Sequence, residues 1–240
     1  LKDQLGRSSI LVEEFDKYAA PGVLDPLGDV ERDEVFLPLL ERCRARSFGA
    51  VVMGAPCSPC SVARVFNTHS GPPMLFSARC PEGLRPREVP FAYRREQAKA
   101  KLVYDRLAQL AAAVVEGGGL LFAEHPSPRS NAAFLGGRLW DHDKGLTANH
   151  GSWWDMNSTK NLLEGANAHS VTLAYCSLPG ASGRARFEQK YTTLGFSPEL
   201  EPFVGPLGAC VCAHAPGFHT KAGGHEASGA WRMAKLARWP

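Results

Sequence analysis

The most constraining feature of the sequence is a long helical pattern over residues 93–116, where apolar side chains recur on one helix face. Three consecutive glycines at 117–119 end the pattern, because glycine is common at the C-terminal end of helices. A short apolar run at 120–123 follows and is predicted to be a buried strand. A helix that leads directly into a buried strand is typical of α/β folds. The apolar helix positions are Val103, Leu107, Leu110 and Val114.

The same alternation of strands and helices continues along the chain. Further strands are predicted at residues 9–12, 50–53, 169–174 and 191–194. With a second helix predicted at 33–47, this order indicates an α/β fold with a mostly parallel sheet covered on both faces. In such sheets ligands bind beyond the carboxyl ends of the strands. Residues 66–92 are rich in proline, glycine and arginine, and we expect a long loop over that site.

Length and charge leave the function open. The 240 residues allow one large domain or two small ones. The 27 basic and 24 acidic residues nearly balance, so the net charge of +3 indicates no particular partner. No apolar run approaches the roughly 20 residues that a membrane span needs, so we expect no membrane association. Seven cysteines, an odd number, favour an intracellular, reducing compartment over a disulfide scaffold.

Two side chains that can carry chemistry follow neighbouring predicted strands. Cys57 lies in a turn with glycine and proline directly after the strand at 50–53, and Glu124 follows the strand at 120–123. Taken singly, such a cysteine is usually an inert buried residue and such a glutamate a solvated strand end. Taken together at one sheet edge, they are predicted to converge as a nucleophile and an acid, which suits attack on an electron-poor ring.

These residues resemble the cytosine-5 DNA methyltransferases, most closely the diverged methyltransferase-like domains of some eukaryotic retroelement polyproteins. Pro56-Cys57, with Ser61 four residues later, resembles the family motif PPCxxFS, and Glu124-His125-Pro126 resembles ENV or ENP. The resemblance runs over nearly the whole chain, with the motifs in the family's order. Further matches are residues 57–64 with CssfSrAR, residues 71–84 with GPP…R…PxGL, Trp140 with the Trp of ENPxSSxLW, and Tyr175-Cys176-Ser177 and Lys190-Tyr191-Thr192 with DxCxfG…KxT.

The resemblance implies a Rossmann-like methyltransferase sheet with helices on both faces, in a single domain over residues 1–240. It implies that the first strand lies upstream of Leu1 and that residues 195–240 form a small portion containing cysteine and histidine. The implied activity is methyl transfer from S-adenosylmethionine to carbon 5 of cytosine in DNA, with RNA as the alternative substrate. In a eukaryotic cell the location would be nuclear.

The resemblance also implies residue roles. Glu124 would hydrogen-bond the cytosine ring nitrogen N3 and amino group, and the Cys57 thiolate would then add to carbon 6. Methylation of carbon 5 and loss of its proton would expel the cysteine. Because the target atoms lie inside the base stack, the base must be flipped out. Ser61, Arg64 and Arg79 would bind the substrate, with Arg85 and Arg87 as further phosphate contacts or simply solvated charges.

Cofactor binding would depend on acids near the start of the chain. By resemblance, Glu14 occupies the position of the acid that holds the ribose hydroxyls. Asp29 matches the acid near the adenine, with Asp25 as the other candidate for that role. The family's FxGxG turn, which cradles the methionine end of the cofactor, has no counterpart in the sequence. The glycines at 117–119 lie between a helix and a strand, the wrong order for a nucleotide-binding loop.

Several departures from the family pattern leave other functions open. His125 replaces an asparagine, Ala55 a proline and Cys60 an aromatic residue, while Arg184 and Arg186 are the nearest match to QxRxR. A second hypothesis is therefore a catalytically silent nucleic-acid-binding or structural module of a retroelement polyprotein. A third is a cysteine hydrolase that uses His69 or His125 as its base.

A group of soft ligands lies near the end of the chain. The spacing of these residues fits no standard zinc finger, so no metal site is predicted. A structural zinc ion remains the alternative. The residues are Cys210, Cys212, His214, His219 and His225.

Overall fold

The computed structural model describes residues 11–16, 18–20, 23–61, 64–65, 72–129, 149–177 and 191–212. The strands are β1 (Tyr18–Ala20), β2 (Val23–Leu24), β3 (Ala50–Gly54), β4 (Leu120–Pro126), β5 (His169–Ala174) and β6 (Tyr191–Phe196). The α-helices are α1 (Asp33–Arg44), α2 (Phe91–Glu116), α3 (Asn157–Gly165) and α4 (Glu201–Val204). Short 3-10 turns lie at Pro86–Glu88, Trp153–Asp155, Tyr175–Ser177, Pro198–Leu200 and Gly205–Ala209. The α/β class predicted from the sequence is confirmed.

The main sheet has the strand order β3-β4-β6-β5 and is mixed rather than mostly parallel. β3 and β4 pair in parallel, whereas β6 is antiparallel to both β4 and β5. The expectation of a mostly parallel sheet is therefore wrong for the described strands. All six residues of β6 are buried, because this strand lies in the middle of the sheet. An apolar run in the sequence predicts that a strand is buried but does not indicate its direction. The antiparallel direction of β6 could therefore not be predicted from the sequence.

Helix α2 packs in the middle of one face of the sheet, between α1 and α3. It begins two residues before the predicted start and ends at the predicted residue. Leu110 and Val114 of the predicted apolar stripe pack against α1. A second buried stripe, largely of alanines, lets the helix approach the sheet closely. That stripe is Ala100, Tyr104, Ala108 and Ala111.

The opposite face of the sheet is covered over only part of its width. Leu200, Val204 and Leu207 pack on β5 and β6 and bury their outer face. At β3, by contrast, the side chain of Val52 is 59% exposed. The predicted cover on both faces therefore holds for β5 and β6 but does not extend over β3. The separate C-terminal portion predicted to begin at residue 195 would start within β6. Several described residues after β6 pack on the outer face of β5 and β6.

The predicted long loop is well packed between residues 72 and 90. The Gln97 side-chain amide on α2 donates hydrogen bonds to the carbonyl oxygens of Leu75, at 2.7 Å, and Leu84, at 2.9 Å. Leu75, Phe76 and Val89 are almost completely buried beside α2. The two hydrogen bonds satisfy carbonyl groups that burial would otherwise leave without a partner. The described part of the loop is therefore an ordered element of the core.

The N-terminal region differs from the prediction. Of the strand predicted at residues 9–12, Leu11 and Val12 lie outside any strand, and residues 9 and 10 fall outside the described residues. β1 and β2 instead form a separate antiparallel pair. Leu11 is exposed, so it lacks the burial that a strand in the core would give it. Among the helices that the structure describes, none is both long and apolar enough to cross a membrane.

A carboxylate at the start of α3 generates a test of stability. Glu82 accepts a hydrogen bond from the Asn157 backbone N–H at 2.6 Å and pairs with Lys101 at 2.9 Å. Partial burial raises the pKa of Glu82, but these two contacts outweigh it and leave the pKa below its usual range. A carboxyl with a lowered pKa stabilises the fold above about pH 4.5, and that contribution is lost as the pH falls through the folded-state pKa.

We therefore expect Glu82→Gln to lower the free energy of unfolding at pH 7 by roughly 0.5 kcal/mol, since the side chain is partly exposed. The difference from the unmodified chain should shrink as the pH falls below about 4.5. Urea unfolding at several pH values measures both effects. Glu164→Gln, the same change at an exposed position near the end of α3, is the control and should leave the free energy of unfolding at pH 7 almost unchanged. An equal effect in both variants would contradict the account.

Candidate functional site

The carboxyl ends of β3 and β4 lie at the same edge as the start of α1. The end of α1 lies near the opposite edge, because a Cβ at Gly117 would lie 3.1 Å from Cγ of Arg46 and the Leu120 backbone N–H donates to the Gly49 carbonyl at 3.0 Å. The helix therefore runs back across the sheet, and the turn before it reaches the carboxyl edge. Three sequence segments meet at this edge: the turn before α1, the loop after β3 and the end of β4.

Glu124 lies beside the strand end that leads to Cys57. Gly54, the last residue of β3, is the register partner of Glu124 on β4. A Cβ at Gly54 would lie 3.8 Å from Oε2 of Glu124. The Thr192 hydroxyl on β6 donates a hydrogen bond to Oε1 at 2.9 Å. The carboxylate is therefore fixed between β3 and β6. It lies beside Gly54, which precedes Cys57 by three residues.

The predicted strand end at Glu124 needs one correction. β4 continues through Glu124 to Pro126, so the carboxylate projects from inside the strand rather than from the loop after it. The extra length comes from pairing with β6, in which His125 and Pro126 are opposite Thr193 and Thr192. The length of a strand depends on the partner with which it pairs, and no local sequence pattern indicates that β6 would lie there.

The loop after β3 is held by hydrogen bonds to alternate carbonyl oxygens. The side chains that donate them come from three separate parts of the chain, and all are buried. The bonds are Tyr104 hydroxyl to Pro56 O at 2.6 Å, Arg64 Nε to Ser58 O at 2.8 Å, and His150 Nε2 to Cys60 O at 2.7 Å. Cys57 lies within this loop and is half-buried.

The two cysteines of the loop differ in their surroundings. Cys60 is 2% exposed. Burial raises the pKa of the Cys60 thiol to about 12, although the Tyr104 hydroxyl and the Arg64 charge act in the opposite direction. Cys60 therefore stays protonated at neutral pH and behaves as a small core residue. Of the two thiols, only that of Cys57 is accessible enough to react.

His125 belongs to the core and not to the site edge. Successive side chains of a strand point to opposite faces, so His125 and Glu124 project in opposite directions. The imidazole is completely buried beside Tyr104, Trp153 and Trp154, with ring centroids 5.5–6.5 Å away. This packing does not support the cysteine hydrolase hypothesis with His125 as its base. His69, the other candidate base, lies outside the described residues.

Arg64 does not have the exposed position expected of a phosphate ligand. The guanidinium is 5% exposed and bonds to the carbonyl oxygens of Ser58 and Pro73 and to the carboxylate of Glu96. Each of its three nitrogen atoms therefore already has a partner within the fold. The sequence interpretation of Arg64 as a substrate-binding residue needs correction, since an arginine next to an exposed loop gives no sign that the loop will fold over it.

The other predicted substrate residues remain accessible to different degrees. Ser61 is half-buried, and its backbone N–H donates to Ser58 O at 3.2 Å. Arg79 is exposed in the turn between Ser77 and Cys80. Arg87 is exposed, whereas Arg85 is exposed but pairs with Glu88 at 3.1 Å. The described loop therefore offers Arg79 and Arg87 to solvent at its outer surface.

The acids predicted to hold the cofactor lie on two adjoining backbone segments. A Cβ at Gly28 would lie 2.1 Å from the Asp16 carbonyl oxygen, so only glycine lets the segment of Glu14 approach that of Asp29. Glu14 is exposed. Asp29 is half-buried, and its carboxylate accepts the Glu31 backbone N–H at 3.1 Å.

The turn that carries Asp29 is tied to α2. Arg106 donates to the Val30 carbonyl at 2.9 Å and pairs with Asp33, while Lys99 pairs with Glu31 at 2.7 Å. Asp25, the alternative to Asp29, caps its own turn through a hydrogen bond from the Leu27 N–H at 2.9 Å. Both acids stabilise turns before α1, and Asp29 lies nearer the helix and the sheet edge.

Three side chains that shape the site were not predicted from the sequence. Thr192 belongs to one of the motif matches, but nothing in that motif indicates that its hydroxyl fixes Glu124. Tyr104 falls outside the predicted apolar stripe, yet it is one helical turn from Ala100 and Ala108 and shares their buried face. Its hydroxyl was a usable signal, because a buried tyrosine usually finds a hydrogen-bond partner. His150 lies far from the loop in sequence, and no local pattern connects them.

The C-terminal ligand group is described only in part. Cys212 packs with Cys176 and Tyr191, and burial together with contact to Cys212 raises the pKa of Cys176 to about 12. His214, His219 and His225 lie outside the described residues, as does Trp140 of the motif matches. Across the part of the chain that the structure describes, no group of three or more His, Cys, Asp or Glu side chains is arranged to hold a metal ion.

Comparison with protein-family models, with curated proteins and with solved structures finds no significant match.

His150 generates a pH prediction. Burial lowers the pKa of His150 to about 4. The hydrogen bond to Cys60 O raises this pKa, whereas the nearby charge of Arg129 lowers it further. The unfolded chain protonates near pH 6.5, so stability is retained above that value and falls as the pH decreases toward 4. We expect this group to remove about 2 kcal/mol of unfolding free energy between pH 7 and pH 5.

His150→Gln keeps a donor within reach of Cys60 O but does not titrate. The variant should therefore lose less stability between pH 7 and pH 5 than the unmodified chain does. Urea unfolding at both pH values gives the two differences directly. Equal losses in the two proteins would mean that His150 is not held neutral by burial.

Proposed function

We propose that this chain transfers a methyl group from S-adenosylmethionine to carbon 5 of cytosine in DNA, with Cys57 as nucleophile and Glu124 as the acid that polarises the base. The main support is the parallel pairing of β3 with β4, in which Gly54 lies opposite Glu124. This pairing puts a half-buried thiol and a fixed carboxylate at one sheet edge, from two strands that are distant in sequence. The sequence resemblance gives these two residues their roles.

The chemistry needs both groups on the same cytosine. A hydrogen bond between the Glu124 carboxyl and the ring nitrogen N3 draws electrons from carbon 6. The Cys57 thiolate then adds there, and the sulfur–carbon bond makes carbon 5 nucleophilic. S-adenosylmethionine, when bound, supplies the electrophilic methyl group that carbon 5 takes. Transfer of the carbon 5 proton to water restores the double bond between carbons 5 and 6 and releases the Cys57 thiolate.

The surroundings of Glu124 suit this role. Thr192 donates to Oε1 and so limits rotation of the carboxyl group. A fixed orientation helps because a planar ring must meet the carboxyl edge-on to bond through both N3 and the amino group. Gly54 keeps the space above its own backbone open, since a side chain at this position would contact Oε2.

Two further groups of residues complete the proposed site. Glu14 and Asp29 fit the ribose and adenine end of the cofactor, since Gly28 brings their segments together and carboxylates accept hydrogen bonds from hydroxyl groups. Arg79 and Arg87 are exposed cations on the loop after the Cys57 segment, for which no ion pair is described, unlike Arg85 beside Glu88, and they suit contacts with DNA phosphates.

The silent nucleic-acid-binding module is the second candidate function. The observation in its favour is that Arg64, which the family resemblance assigns to substrate, is a buried part of the fold. Such a module needs to bind nucleic acid with salt-dependent affinity but has no need of a cofactor. Calorimetric titration with S-adenosylhomocysteine separates the candidates, because the enzyme must bind this product and the module need not.

The catalytic roles predict a specific pattern of activity loss. Cys57→Ser should abolish transfer of labelled methyl groups to a cytosine-containing duplex, since a serine hydroxyl is not ionised at neutral pH. Glu124→Gln should lower the rate by roughly 10²–10⁴-fold, the range for loss of a positioned acid. Cys80→Ser, which changes another half-buried thiol, should retain activity.

Retained transfer in Cys57→Ser would refute the proposed mechanism. Binding of S-adenosylhomocysteine without methyl transfer to DNA would point to another methyl acceptor. Absence of both binding and transfer, with salt-dependent DNA binding present, would favour the silent module.

A further inference from the structure

The Cys57 loop is fixed by side chains to a degree that a simple surface turn does not need. Three carbonyl oxygens, each two residues from the next, accept hydrogen bonds from Tyr104, Arg64 and His150. Turns usually satisfy their carbonyls with water or with nearby backbone N–H groups. Here the donors are reached from α2, from the residue after the loop, and from a segment far along the chain.

Each donor is itself held rigidly. Tyr104 is completely buried, and its ring packs edge-on against Phe76 with centroids 5.9 Å apart. Arg64 is anchored by Pro73 O at 3.0 Å and by Glu96. His150 is 5% exposed and forms a β-bridge with Ser77. Because the donors cannot move independently of the core, they transmit the rigidity of the core to the loop.

The bond from Tyr104 has the most direct effect on Cys57. Pro56 O belongs to the peptide group whose nitrogen is that of Cys57, so the bond fixes the plane of that peptide. The plane sets the direction in which the Cys57 side chain leaves the backbone. Ser58 O and Cys60 O, held by Arg64 and His150, restrain the chain on the other side of the thiol.

We infer that Tyr104, Arg64 and His150 are positioning residues for the Cys57 thiol. They act through the loop backbone and do not themselves touch the substrate. This inference rests on the proposed function, in which the sulfur must meet carbon 6 of a fixed ring. Misplacement of a reacting group by about 1 Å can lower the rate on the order of 10²-fold. A displaced loop would therefore abolish most of the activity even though the Cys57 thiol is chemically unchanged.

Tyr104→Phe tests the inference most cleanly, because it removes only the hydroxyl and keeps the buried ring. We expect its kcat for methyl transfer to fall by about 10-fold or more, with the KM for S-adenosylmethionine within about twofold of the unmodified value. Alkylation of Cys57 by iodoacetamide should become about fivefold faster, since loss of one hydrogen bond frees the half-buried thiol. Tyr93→Phe, the same change nearer the start of α2, is the matched control and should alter neither rate.

His150 provides a rescue test. His150→Leu removes the donor to Cys60 O and should accelerate Cys57 alkylation, whereas His150→Gln retains a donor and should restore a rate within about twofold of the unmodified chain. Peptide mass spectrometry reports Cys57 and Cys80 in the same sample. Cys80 is half-buried in the neighbouring loop and serves as the internal reference for general loosening.

The two proposals can fail separately. If the unmodified chain transfers no methyl group, the proposed function fails, while the alkylation rates still decide whether the three donors position the thiol. An unchanged Cys57 rate in Tyr104→Phe would overturn the inference. An equal acceleration at Cys57 and Cys80 would also overturn it, because the hydroxyl would then support the whole fold and not the loop.

Discussion

The parallel pairing of β3 with β4 is the interaction on which the site depends. It places Gly54 opposite Glu124, and so brings the loop that carries Cys57 beside a carboxylate from a distant part of the sequence. β6 then completes the edge, because Thr192 fixes the carboxylate from the other side. A shift of one residue in this register would turn Glu124 toward the core and His125 toward the edge. The register of this strand pair and the proposed chemistry are therefore coupled.

Helix α2 connects this edge to the core. One of its faces packs against the sheet through small side chains and carries the Tyr104 hydroxyl to Pro56 O. Elsewhere on the helix, Arg106 and Lys99 tie down the turn of Asp29. The backbone segments that carry the candidate nucleophile and the candidate cofactor acid are therefore both bound to the same rigid helix. Fixed elements of this kind hold reacting groups more accurately than loops that rest only on solvent.

Much of the fold could be predicted from sequence periodicity, while the support of the site could not. The pattern at 93–116 gave α2 almost to the residue, because helix periodicity and terminal glycines are local signals. The direction of β6 and the burial of Arg64 and His125 depend on which elements meet in space. Cys57 and Glu124 were predicted as site residues from strand ends and motif order. Tyr104 and His150 were missed, since their partners lie far away in the sequence.

The most direct test of the account is covalent trapping of the chain on a duplex that contains 5-fluorocytosine, with S-adenosylmethionine present. Fluorine on carbon 5 cannot leave as a proton does, so the step that releases the cysteine is blocked and the adduct persists. The proposed mechanism predicts one stable protein–DNA adduct whose attachment maps to Cys57 by peptide mass spectrometry. No adduct, or an adduct at any other residue, would contradict it.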